Sequence, residues 1–182
     1  MQAIMDREFG PVKTTLYRPP ENRPATEEIS IRPPRDKAII VDGYNIIFAW
    51  EKLAELAKSD LDAARRRLCD ILSSYAGFKK CRLVLVFDGY KVKGNPGEKE
   101  NFHNIQVVYT KENQTADTFI EQLMHELGPN YNVRVVTGDR LLQISAVHSG
   151  ISRVTASEFE AEIVAVGNEI TEFIRRLART QQ

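Results

Sequence analysis

Four short runs of almost unbroken apolar, β-branched residues constrain this chain more than any other feature: AIIVD at 38–42, RLVLVFD at 82–88, IQVVYT at 105–110 and VRVVTGD at 133–139. A strand with one wet face alternates apolar and polar side chains, whereas a strand covered on both faces has no polar side to show. Each run therefore reads as an interior strand between two layers. SRVTA at 152–156 is a shorter candidate. Between the runs, Leu61, Ala64, Leu68, Ile71, Leu72 and Tyr75 recur at helical spacing, as do Ile120, Leu123, Met124 and Leu127. These segments are helices with one buried stripe. Ser157 followed by Glu160 reads as a capping box in front of a long amphipathic run through Ile163, Ile170, Ile174 and Leu177. Alternation of this kind, with right-handed crossovers, predicts a three-layer α/β/α sandwich on a mostly parallel sheet.

The first 36 residues differ from the rest. Six of the eight prolines lie there, mixed with Arg and Glu and without periodicity, which describes an extended arm or linker. The globular domain is expected over 37–182. No apolar run approaches the roughly 18 residues of a membrane span, and MQAIMDREFG lacks the basic and apolar regions of a secretory signal, so a cytoplasmic location is expected. Cys69 and Cys81 form no C-x-x-C pair and read as reduced thiols.

Three of the four interior strands end in an aspartate: Asp42, Asp88 and, after Thr-Gly, Asp139. In a parallel sheet all three emerge on one edge, and ligands of such sheets bind at that edge, near the switch point in strand order. The fourth acid, Asp117, falls in the first turn of a helix for which Thr115 is the N-cap, with Glu121 four residues later on the same face. Taken singly each acid has a bland reading, since Asp-Gly is a common turn pair and an acid at a helix start complements the dipole. Together they are different. Four carboxylates at one edge raise one another's pKa unless a cation compensates, and hard oxygen ligands select Mg²⁺ or Mn²⁺. Such an ion activates water and stabilises charge on a phosphoryl group during in-line displacement. Asn45, three residues beyond Asp42, is placed to bond a carboxylate, a metal-bound water or a phosphate. Thr137 and Ser157 offer hydroxyls near the same edge, though their simpler roles are turn and cap. Asp42 and Asp139 are the expected direct ligands, because their strands are expected to flank the switch point.

The motifs VDGYNII (41–47), LVFDGY (85–90), TADTFIEQL (115–123) and VVTGD (135–139), in this order, resemble the NYN domain of the PIN-like nuclease superfamily, in its YacP-like branch. The resemblance runs from about Ala38 to the carboxyl-terminal helix and leaves the arm outside. It implies a PIN-like sandwich and metal-dependent cleavage of RNA, with the family's acidic positions falling on Asp42, Asp88, Asp117 and Asp139 and its asparagine on Asn45. Because the branch includes a ribosome-associated endoribonuclease, it also implies messenger RNA as substrate and the ribosome as partner.

Substrate contacts are expected from GYKVKGNPGEKENFHN (89–104), read as a loop beside Asp88: Lys91, Lys93, Lys99 and His103 on phosphates, Tyr90 and Phe102 on unpaired bases. Arg65, Arg66 and Arg67 read as a solvated helix face, and Tyr44 and Trp50 as packing residues. The 25 basic and 25 acidic residues give zero net charge, less basic than a strong general RNA binder. That balance keeps open an RNA- or ribosome-binding module of weak or no activity, and the scaffold equally admits a phosphatase or DNA nuclease. The sequence leaves the oligomeric state open.

Overall fold

A computed structural model describes residues 35–89, 97–111 and 113–180. The expected arm lies outside these residues apart from Arg35 and Asp36, as do Tyr90, Lys91 and Lys93. Strand β1 is Lys37–Asp42, followed by helices α1 (Gly43–Ala49), α2 (Glu51–Ser59) and α3 (Leu61–Lys79). Strand β2 (Arg82–Phe87), the hairpin of β3 (Lys99–Phe102) and β4 (Ile105–Tyr109), and helix α4 (Ala116–Leu127) come next. Strand β5 (Asn132–Val136), helix α5 (Arg140–His148), strand β6 (Ser152–Val154) and helix α6 (Ala156–Thr180) complete the chain.

The six strands lie in the order β3-β4-β2-β1-β5-β6. Every neighbouring pair is parallel except β3 with β4. Strands therefore accumulate in one direction from β1 through β2 and β4, and in the other through β5 and β6. The switch point is the gap between β1 and β5.

Alternate residues of each interior strand serve different layers, as a period of two requires. Ile39 and Val41, Leu83, Leu85 and Phe87, and Val107 join a core with α1, α2, α3 and α6. Ala38 and Ile40, Val84 and Val86, Val108, Val133 and Val135 join a second core with α4 and α5. Both faces are covered, and the four runs are apolar throughout for that reason. Trp50 ties the first layer together, its indole N–H donating to the Ala156 carbonyl at 2.9 Å.

Two local features differ from the sequence reading. Lys99–Phe102, expected within a loop, forms an edge strand. Its first three side chains are exposed, so KENF shows no apolar alternation and carries the charge that protects sheet edges. The cap of α6 is Thr155, not Ser157. Its hydroxyl accepts from the Glu158 amide at 3.2 Å, while the Glu158 carboxylate accepts from the Thr155 amide at 2.8 Å. The capping box thus spans Thr155 and Glu158, because β6 ends at Val154 and the chain turns at once into the helix. Among the described residues no helix is long and apolar enough to cross a membrane.

The reciprocal cap predicts that Thr155→Ala lowers stability by about 1 kcal/mol in urea denaturation, whereas Ser157→Ala changes it by less than about 0.5 kcal/mol. Equal losses would show that the cap is shared.

Candidate active site at the carboxyl edge of the sheet

Asp42 is both the last residue of β1 and the N-cap of α1. One carboxylate oxygen accepts from the Asn45 amide at 3.3 Å, and the other accepts from the Thr137 hydroxyl at 3.3 Å. The residue is only 8% exposed. The following Gly43 is not a turn glycine. It opens a helix, and a Cβ there would come within 2.3 Å of the Phe87 ring, so the close packing of α1 on the end of β2 requires its absence. Gly89, after Asp88, has the same role. A Cβ would meet the Thr110 carbonyl oxygen at 1.7 Å, while the Gly89 amide donates to the Thr110 hydroxyl at 2.9 Å.

Across the switch point, Asp139 caps α5 with one oxygen, which accepts from the Leu141 amide at 2.6 Å and the Leu142 amide at 3.2 Å. Its own amide donates to the Thr137 hydroxyl at 3.0 Å. Thr137, fully buried, therefore links both acids through one oxygen. Asn45 closes a second link: its side-chain oxygen accepts from the Gly138 amide at 2.6 Å. A Cβ on Gly138 would lie 2.8 Å from that oxygen, so glycine is required for the approach.

Asp88 directly follows β2 and is half-buried, and Asp117 is exposed in the first turn of α4. Thr115 caps that helix as its sequence suggests, accepting from the Thr118 amide at 3.2 Å. The acids act on one another. Burial pushes the Asp42 carboxyl up to about 6, and the charges of Asp117 and Asp139 add to that effect against the Asn45 and Thr137 hydrogen bonds. Asp117 is likewise raised, first by partial burial and then by Asp139, Asp88 and Glu121. Glu121 thus joins the same field. The described residues hold no group of three ligands gathered tightly enough to enclose a metal ion. Asp42, Asp88, Asp117 and Asp139 instead stand on four separate segments along the carboxyl edge.

The remaining candidates are split. Lys99 pairs with Val108, near the end of β4, and so lies at the acidic edge. Its ammonium sits 5.6 Å from the ring centroid of Phe119, two residues beyond Asp117. His103 is in the β3–β4 turn with a φ of 53°, at the opposite edge, because β3 runs antiparallel. It touches Phe102, which packs on the core instead of presenting a base-stacking face. Ser157 bonds only locally, 3.3 Å from the Thr155 hydroxyl. A cavity of about 560 Å³ lined by Arg35, His125, Tyr131 and Ser149 also lies at that opposite edge, away from all four aspartates. Arg65, read from sequence as one of three solvated arginines, is buried, while Arg66 and Arg67 are exposed.

The family profile described as YacP-like NYN domain matches residues 39–182. The Bacillus subtilis protein named "Uncharacterized protein YacP" is 33% identical over 140 residues, covering 76% of this chain and 82% of that protein. The crystal structure of Rae1 (YacP) from Bacillus subtilis superposes with a TM-score of 0.70 at 32% identity, over 80% of this chain and 83% of that one. A point mutant of the same protein gives 0.68 at 29% identity, over 78% and 84%.

The raised Asp42 value has a thermodynamic consequence. A carboxyl whose pKa is higher folded than unfolded keeps its proton in the native state after the unfolded chain has lost it. Native stability therefore falls as pH rises from about 4 to about 6, then levels off. In the absence of divalent metal, Asp42→Asn is expected to raise stability at pH 7 by on the order of 1–3 kcal/mol, with the gain vanishing towards pH 4. Denaturation at several pH values checks this, and a pH-independent difference would refute it.

Proposed function

The chain belongs to the YacP-like NYN domain family, a nuclease-type family, and from that premise we propose that it is a metal-dependent endoribonuclease cleaving RNA phosphodiester bonds. The observation that carries this reading is the placement of Asp42, Asp88, Asp117 and Asp139 at one sheet edge, where the Asp42 carboxyl is buried and its pKa further raised by Asp117 and Asp139, and that of Asp117, beyond partial burial, by Asp139 and Asp88. A site that lifts its own carboxyls in this way is unfavourable unless a cation neutralises it.

Mg²⁺ or Mn²⁺ would be held by Asp42 and Asp139, with Asp88 and Asp117 completing the site, in part through water. The ion would supply an activated water and charge stabilisation at the phosphoryl group. The chain's own residues do the positioning. Thr137 fixes one oxygen of Asp42 and the backbone of Asp139. Asn45 holds the Gly138 loop against α1. The N-cap bonds of Asp139 both engage the same carboxylate oxygen, so the other would be the one to meet a cation. Lys99, over the Phe119 ring at the same edge, would supply a cation for a substrate phosphate, and the charges of Lys91 and Lys93 belong to the same reading.

The natural substrate we propose is messenger RNA presented by the ribosome in the cytoplasm. The zero net charge supports presentation by a larger assembly, since free RNA is gripped mainly through neutralised phosphates. The same charge favours, as a second reading, an RNA- or ribosome-binding module with little activity.

Asp42→Asn and Asp139→Asn are each expected to reduce Mg²⁺- or Mn²⁺-dependent cleavage of single-stranded RNA by about 100-fold or more, while the fold persists by circular dichroism. Unchanged cutting by either variant would sink the nuclease reading. Ribosome co-sedimentation by wild type and variants alike, with no RNA fragments from any, would favour the binding module.

A further inference from the structure

Arg65 is a buried cation that the cleavage chemistry above does not use. It lies near the start of α3, which begins at Leu61 and leads into the amino-terminal end of β2, so the first turns of α3 stand at the acidic edge. Its side chain is only 10% exposed. Nε and Nη2 both donate to the Tyr44 hydroxyl, at 3.0 and 2.5 Å. Tyr44 follows Asp42 by two residues and packs on Phe87, the residue before Asp88, with ring centroids 5.1 Å apart. Arg65 is thus joined through Tyr44 to the packing at the strand end that precedes Asp88.

Its third donor tells more. Nη1 bonds the carboxylate of Asp62, one turn earlier on the same helix, and the Asp62 side chain is 70% exposed. Burying a charge is costly unless it is paired, yet the anion offered to this buried guanidinium is a solvated one, in an i,i+3 pair of a kind that contributes little. Among the described residues the Asp62 side chain makes no other hydrogen bond. A brace for Tyr44 would need only a neutral donor. A planar guanidinium with one edge fixed and the other facing an exchangeable oxyanion at the protein surface is arranged to accept a different oxyanion.

We propose that Arg65 binds a phosphate of the RNA strand beside the acidic edge, with Asp62 occupying that position until substrate displaces it. Tyr44 fixes the Nε and Nη2 side of the guanidinium, so the Nη1 side is presented in one orientation. The phosphate is a non-bridging-oxygen ligand and no bond is made or broken there. This inference rests on the RNA-cleaving reading.

The test is the salt dependence of cleavage of a single-stranded oligoribonucleotide with Mn²⁺. Arg65→Met should raise KM and reduce the slope of log(1/KM) against log[salt] by about 0.7, the value of one lost contact to a single strand. Asp62→Ala, which frees Nη1, should lower KM by about two- to fivefold. Tyr44→Phe should leave the salt slope at the wild-type value, since it removes no charge. An Asp62→Ala enzyme with wild-type KM, or an Arg65→Met enzyme with an unaltered slope, would reduce Arg65 to a brace and overturn the inference while the nuclease reading stands. If Arg65→Met fails to fold, the Asp62→Ala result decides. A wild-type protein that neither cuts nor binds RNA would remove both.

Discussion

At the switch between β1 and β5 a single buried hydroxyl bonds in two directions. Thr137 donates to Asp42 and accepts from the amide of Asp139, so two chain segments 95 residues apart are brought to a fixed relation at the point where the strand order reverses. Much of the neighbourhood follows from that constraint. Gly138 has to lack a Cβ because Asn45 reaches its amide at 2.6 Å. Asp139 is free to begin α5 only because its backbone is already held. Asp42, closing a parallel strand against another that ends beside it, is buried before any acid around it is considered.

The carboxyl edge is consequently a place where folding and chemistry oppose each other. Desolvation and neighbouring charge make the ionised state of Asp42 unfavourable, a cost that the proposed cation would offset. The rest of the protein compensates through ordinary means: two apolar cores against opposite faces of the sheet, and helix caps that serve the acids and the fold together. Cations near this edge come from both layers: Lys99 stands over the Phe119 ring on the α4 side, and Arg65 against Tyr44 on the α3 side. In the proposed reading, these cations offer local charge to a phosphate backbone on a chain of zero net charge.

Much of this was legible in the residues. The runs around Ile40, Val84, Val107 and Val135 announce interior strands because covering both faces leaves no polar side, and aspartates ending such strands must share an edge when the strands are parallel. The membership in the YacP-like NYN family was carried by motifs that surround those same acids. Less legible was anything decided by an edge or a contact. KENF at 99–102 pairs through its backbone, which side-chain patterning does not record. The start of α6 depends on where β6 stops, so a capping box at Ser157 and Glu160 was as consistent with the residues as the one at Thr155 and Glu158. His103 belongs to the same segment as Lys99, yet a hairpin carries it to the far end of the sheet.

By itself, then, the sequence determined the layer architecture, the parallel sheet and the emergence of the strand-end aspartates on one edge, because each of these follows from periodicity and strand direction. Only the tertiary structure decided what each position means. Asp-Gly, a turn pair in sequence, became a helix cap followed by a glycine pressed on Phe87. Three consecutive arginines became one buried cation and two solvated ones. Thr137, a plausible turn residue, became the link between the Asp42 carboxylate and the Asp139 backbone amide. The physical reason is common to all three: a residue's chemistry depends on which water it loses and which partner replaces that water, and both are set by segments far away along the chain.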